Sequence, residues 1–207
     1  METKAKSKTR TTTKTVAGSE HLSRREAAMF AEVSLRSVDK AIEEKVVRPS
    51  RSLGHGTVLD RGDVLAIALI ARAGLPLRPQ TKRRINEWVH GFFSEESFEE
   101  TKELLLSDVL VLRLDSESHQ LAERLYRYLK GRERYIEADP DIQGGEPVIK
   151  GTRLPVRSVA ERLNRGDSID DLVDDYPRVP KTAFEAARIY AQSHPRRGRP
   201  ARPWRDA

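Results

Sequence analysis

The chain has 207 residues, enough for one large or two small cores, with 37% hydrophobic residues and no cysteine. The lack of cysteine excludes disulfide staples, thiolate-bound zinc and a thiol nucleophile. The formal charge of +6 is unevenly placed: residues 1–16 carry Lys4, Lys6, Lys8, Arg10 and Lys14 against Glu2, and residues 194–207 carry five arginines against Asp206. The basic character therefore belongs to the two ends, which calls for polyanionic partners or an acidic pocket.

Residues 1–20 are Lys, Thr and Ser with almost no large apolar group, and read as a disordered basic arm. Ser23 followed by Glu26 is the spacing of a capping box, and Ala27, Phe30 and Ala31 share one face of the helix it opens. A second helix starts at Ser34, with Leu35, Val38 and Ile42 spaced as a buried stripe. From Val46 to Leu59 the pattern is β-like, with Gly54-His55-Gly56 at the tip of a hairpin. Asp60 and Asp63 then introduce the nearly all-apolar helix Val64–Ala73, closed by Gly74 and Pro76. Ile85, Trp88, Val89 and Phe92 mark an amphipathic helix, and residues 94–104 read as weakly helical.

Val109–Leu114 is β-prone, and a helix carrying Leu121, Leu125, Tyr128 and Leu129 follows, with Gly131 as its stop. Residues 135–156 read as extended segments, punctuated by Gly144-Gly145 and Lys150-Gly151, which suit turns with positive φ. Three helices come next, marked by Val156, Val159, Ala160 and Leu163, by Ile169, Leu172, Val173 and Tyr176 behind a Ser168 cap, and by Ala183, Ala187 and Tyr190. The expected fold is mainly α. Its divisions are a basic arm (1–20), a winged helix-turn-helix (21–93), a connecting helix-strand-helix region (94–134), a helical domain (135–194) and a disordered basic tail (195–207).

Two resemblances add to this reading. Leu22-Ser23-Arg24-Arg25-Glu26-Ala27-Ala28, Val33-Ser34-Leu35-Arg36-Ser37-Val38 and Gly56-Thr57-Val58-Leu59 resemble the winged helix-turn-helix of the MerR and excisionase type, whose second helix enters the major groove. With Val38 and Ile42 inward, Ser34, Arg36, Ser37 and Lys40 face DNA, and Arg48, Arg51 and His55 ride on the hairpin. Asp39, Glu43 and Glu44 oppose contact with phosphate, and the competing reading of these charges is a solvated face.

Asp139-Pro140-Asp141-Ile142-Gln143-Gly144-Gly145-Glu146-Pro147-Val148-Ile149-Lys150-Gly151-Thr152-Arg153-Leu154-Pro155-Val156 resembles the family known as domain of unknown function 433. That family occurs alone and as the antitoxin partner of PIN-domain ribonuclease toxins of the VapBC kind. The resemblance implies an antitoxin that covers the acidic metal site of a VapC-like toxin and binds operator DNA, as a homodimer or a larger hetero-oligomer with the toxin.

On the tail, Arg196, Arg197, Arg199, Arg202, Trp204 and Arg205 are the residues such docking would use, because guanidinium binds carboxylate bidentately. Gly198-Arg199-Pro200 also resembles the core of an AT-hook, so minor-groove binding by a stand-alone regulator is the alternative.

Asp170, Asp171, Asp174 and Asp175 form the one carboxylate cluster that suggests metal, with Asp171 and Asp175 on a shared face, against a plain solvated acidic face. No nucleophile or base at fixed spacing completes a mechanism. The reading is non-enzymatic, without catalytic residues, cofactor or metal ligands, and cytoplasmic, since the longest apolar run, Val64–Ala71, is too short to span a bilayer.

Overall fold

The computed structural model describes residues 21–52, 56–93 and 102–195. Helix formation begins where a side chain can replace the missing backbone acceptor. Ser23 caps α1 (Arg24–Phe30) in a complete capping box with Glu26, and Ser34 caps α2 (Leu35–Glu43). The turn between them holds Glu32 at φ 55, which swings the chain so that Val33 N–H donates back to the Ala28 carbonyl. Val38 is buried and Ile42 half-buried. Leu35, expected in the same stripe, is 37% exposed, in a first turn of α2 that is exposed from Ser34 to Ser37.

A hairpin follows, β2 (Ser50–Ser52) with β3 (Gly56–Leu59). The short strand β1 (Leu22–Ser23) pairs with the other edge of β3, Leu22 opposite Leu59, so the sheet order is β1-β3-β2 and all pairs are antiparallel. Asp60 caps α3 (Arg61–Arg72), buried continuously from Gly62 to Leu69, and α4 (Pro79–Phe93) lies against it through Ile85 and Val89. This is the order of helices and hairpin expected from the sequence.

Of the expected helical stretch 94–104, residues 94–101 lie outside the described residues, and Glu103 and Leu104 open a strand instead, β4 (Glu103–Ser107), paired with β5 (Leu110–Arg113). The reason is a period-two pattern, Leu104 buried and Leu105 exposed, that a run of leucines conceals.

Helix α5 runs from Ser116 to Tyr135, straight through the glycine expected to stop it. Gly131 is there for close packing: a Cβ at this position would lie 3.1 Å from the Ala186 Cβ. Between α5 and α6 (Val156–Asn164), β6 (Ile136–Glu137) pairs with β7 (Val148–Ile149), and Gly144, Gly145 and Gly151 all take positive φ, as their turns require. Helix α7 (Ile169–Asp175) follows, and the last helix, α8 (Lys181–Ser193), packs on α5, α6 and α7.

The buried apolar residues form one continuous cluster from Leu22 to Tyr190. The fold is mainly helical with small strand pairs, and among the described residues no helix is long and apolar enough to cross a membrane. Residues 1–20 of the basic arm, 53–55 at the hairpin tip and 196–207 of the basic tail lie outside the described residues.

Candidate nucleic-acid interface

The capping of α2 aims its first turn outward. Ser34 Oγ accepts the Ser37 backbone N–H at 3.1 Å and lies 2.8 Å from Ser37 Oγ, leaving Ser34, Arg36, Ser37 and Lys40 on the exposed side. Free backbone N–H groups and the positive end of the helix dipole favour a phosphate at that spot. Arg36 makes no ion pair among the described residues. Lys40 is loosely paired, with Nζ 3.7 Å from Glu44.

The acidic residues of this surface are largely answered from within. Asp39 is held by Arg24 at 2.6 Å, and Glu44 by Lys82 Nζ at 2.7 Å, whose hydrogen bond pulls the Glu44 carboxyl below its usual range. Glu43 stays exposed. Two of the three carboxylates that spoke against phosphate contact are therefore neutralised. Neither partner could be foreseen by spacing alone, since Arg24 and Lys82 sit on α1 and α4.

Arg48 is exposed just after α2. Arg51 lies in β2 opposite Thr57, but its side chain, like His55 and the tail residues Arg196, Arg197, Arg199, Arg202, Trp204 and Arg205, is outside the described residues.

Behind this face α1 is fixed by a buried charge pair. Glu26 and Arg132 are each 1% exposed, with Arg132 Nη1 donating to Glu26 Oε1 at 2.7 Å and Nη2 to the His21 carbonyl at 2.6 Å. Tyr128 O–H also donates to Glu26 Oε1, and Ser23 N–H to Oε2 at 2.6 Å. Burial pushes the Glu26 carboxyl upward, yet Arg132, Tyr128, His194 and the Ser23 N–H together bring it below its ordinary value. The phenol of Tyr128 moves the other way, raised by burial and by the Glu26 charge.

A groove of about 590 Å³ opens beside this anchor, between α1, α5 and α8. Met29, Phe30 and Ile189 supply apolar lining, and Arg124, Arg127, Lys130, Arg134 and Arg188 bring five cations beside the lining carboxylate of Glu185, the first three paired loosely with Glu32, Glu123 and Glu133 at 3.3–4.0 Å. Three of the four carboxylates of the Asp170–Asp175 cluster are engaged within the fold: Asp171 accepts the Ser168 backbone N–H in a capping box, Asp175 pairs with Arg162 at 2.7 Å, and Asp170 with Lys181 at 2.8 Å.

The segment from β6 into α8 carries the distinctive glycine turns, and residues 136–191 match the family model described as "Protein of unknown function (DUF433)". Over 187 residues the sequence is 30% identical to the uncharacterized protein y4eO of Sinorhizobium fredii, covering 87% of this chain and 84% of that one. The chain belongs to the y4eO family.

Because that match is more than three times the length of the DUF433 segment, what the y4eO family shares includes residues N-terminal to it. Among solved structures, the crystal structure of Rv2018 from Mycobacterium tuberculosis aligns with 80% of this chain and 95% of that one. Identity there is 15% and the TM-score 0.34.

Proposed function

We propose that this protein is a DNA-binding transcriptional regulator that reads its operator with α2 and serves as the antitoxin of a PIN-domain ribonuclease. The observation that carries the DNA half is the outward first turn of α2. Ser34, Arg36, Ser37 and Lys40 project from a capped helix, and two of its three competing carboxylates, Asp39 and Glu44, are tied back by Arg24 and Lys82. A positively charged helix start beside a β-hairpin can lay side chains on base edges and phosphates together.

The antitoxin half rests on the DUF433 segment and on the concentration of cations in the α5–α8 groove, which suits an acidic partner surface. The tail arginines and Trp204 would extend that interface, Arg on carboxylates and Trp in an apolar recess.

The test uses DNA from upstream of the protein's own gene. Arg36→Ala with Lys40→Ala is expected to weaken binding by about 1–3 kcal/mol for each base edge these side chains read, measured in a gel-shift titration, while co-purification with the product of the neighbouring reading frame is unchanged. Unaltered DNA affinity in the folded double variant removes α2 from the interface. Failure of the neighbouring nuclease to co-purify with the wild-type chain removes the antitoxin half and leaves the stand-alone regulator.

A further inference from the structure

Where the hairpin hands over to α3, three side chains from two helices converge. Asp60 is the cap of α3 and Asp63 stands three residues on, while His90 reaches across from the last turn of α4. One ligand atom from each lies within 4.8 Å of the others. Asp63 is 3% exposed, an unusual position for a carboxylate, and among the described residues the side chain that reaches it is His90, Nε2 to Oδ1 at 3.3 Å. His90 Nε2 is 3.7 Å from Asp60 Oδ1.

These separations are long for a charge-assisted hydrogen bond, which runs at about 2.7–2.9 Å. The 3.3 Å separation matches the edge of a tetrahedron around a metal ion, and the 3.7 Å one lies just beyond it. Bonds of about 2.0–2.2 Å from a central ion place tetrahedral ligands about 3.3–3.6 Å apart.

The backbone is shaped for the imidazole as well. A Cβ on Gly62 would lie 2.6 Å from His90 Cε1 and 2.7 Å from Nδ1, so the ring rests on the first turn of α3 only because residue 62 has no side chain.

We propose that Asp60, Asp63 and His90 form a binding site for a divalent first-row transition ion of the zinc class, with a fourth position open to solvent. One imidazole and two carboxylates suit such an ion. Calcium, which takes six to eight oxygen ligands, is poorly served by this set. Asp60 and His90 are both partly exposed, which gives the ion a way in and leaves room for a water. The bound ion ties the end of β3 to the end of α4, bracing the hairpin against the helical core; it binds only the folded chain and so stabilises it.

The experiment titrates the untagged, chelator-stripped full-length chain with Zn²⁺ by calorimetry and with Co²⁺ by visible absorption. The expected result is one ion per chain, ligand-field bands of four-coordinate Co²⁺, and a thermal midpoint raised by Zn²⁺. His90→Gln and Asp60→Asn are each expected to weaken binding at least ten-fold and to abolish the thermal shift. Asn still caps a helix, so the second variant keeps the fold while changing the ligand. Asp174→Asn, in the acidic cluster of α7, is expected to change nothing. Absence of Co²⁺ bands together with no thermal shift at millimolar Zn²⁺ overturns the proposal, as does binding that survives unchanged in His90→Gln or falls equally in Asp174→Asn.

Discussion

Glu26 serves two structures at once: its backbone belongs to the first helix, and its carboxylate accepts from Ser23, Tyr128 and Arg132. Removing the cation alone leaves a buried charge without a partner, so Arg132→Met is expected to cost about 3–5 kcal/mol at neutral pH. Thermal or urea unfolding checks this. The pH dependence has a definite sign. The native Glu26 carboxyl is depressed below its ordinary value of 4.5, so its contribution is complete above that value and is lost as pH falls through the native one. The titratable groups around it are Arg132 and Tyr128 on α5, Tyr190 on α8 and His194 just beyond it. Glu26→Gln, which can still close the capping box, is expected to flatten the decline in stability as pH falls below the ordinary value of 4.5, measured as a series of unfolding midpoints. The capping half of this arrangement is legible from Ser23 and Glu26 three residues apart; the arginine 106 residues away is not, because no local pattern announces a long-range partner.

At the scale of elements, signals confined to a few residues are readable and those depending on a neighbour are not. The caps at Ser34, Asp60 and Ser168 and the positive φ of Gly144, Gly145 and Gly151 all follow from short-range chemistry. Gly131 reads as a stop because a glycine that ends a helix and one that admits another helix look alike in sequence. Strand β1 has only two residues and exists because β3 offers an edge. His90 is 27 residues from Asp63 and shows no ligand spacing. The packing role of Gly131 leads to a prediction: Gly131→Leu must push α8 away from α5 and is expected to destabilise by about 1–3 kcal/mol, whereas a leucine at the exposed Lys130 is expected to shift stability by no more than about 0.5 kcal/mol. Equal midpoints for the two variants in urea contradict close packing at this crossing.

For the whole molecule, charge is the organising quantity. The ends carry +4 each and the body between them −2, yet the α5–α8 groove gathers five cations. Deleting residues 196–207 separates the two roles proposed for the tail. If it docks on a nuclease, inhibition of ribonuclease activity fails while operator affinity and its salt dependence persist. If it clamps DNA, the log–log salt slope flattens by about 0.9 for each phosphate the tail had neutralised, and inhibition survives. A salt series of operator binding alongside a ribonuclease assay, on full-length and shortened protein, reads both.

The Glu26–Arg132 anchor also bears on how such chains are inherited. A unit joined to a second one by a loose linker can be exchanged by recombination at the joint, because neither side notices the loss. Here a crossover just before the DUF433 segment, near residue 135, would carry Arg132 and Tyr128 off with one parent while α8 and its Ala186 stayed with the other. A foreign N-terminal segment brought in at that point would arrive with no α5 shaped for α8. One brought in upstream of α5 would meet a buried guanidinium with nothing opposite it. Viable shuffling therefore has to move α1, α5 and α8 together, and lineages of this architecture are expected to diversify by point substitution on α2, the hairpin and the tail rather than by trading halves.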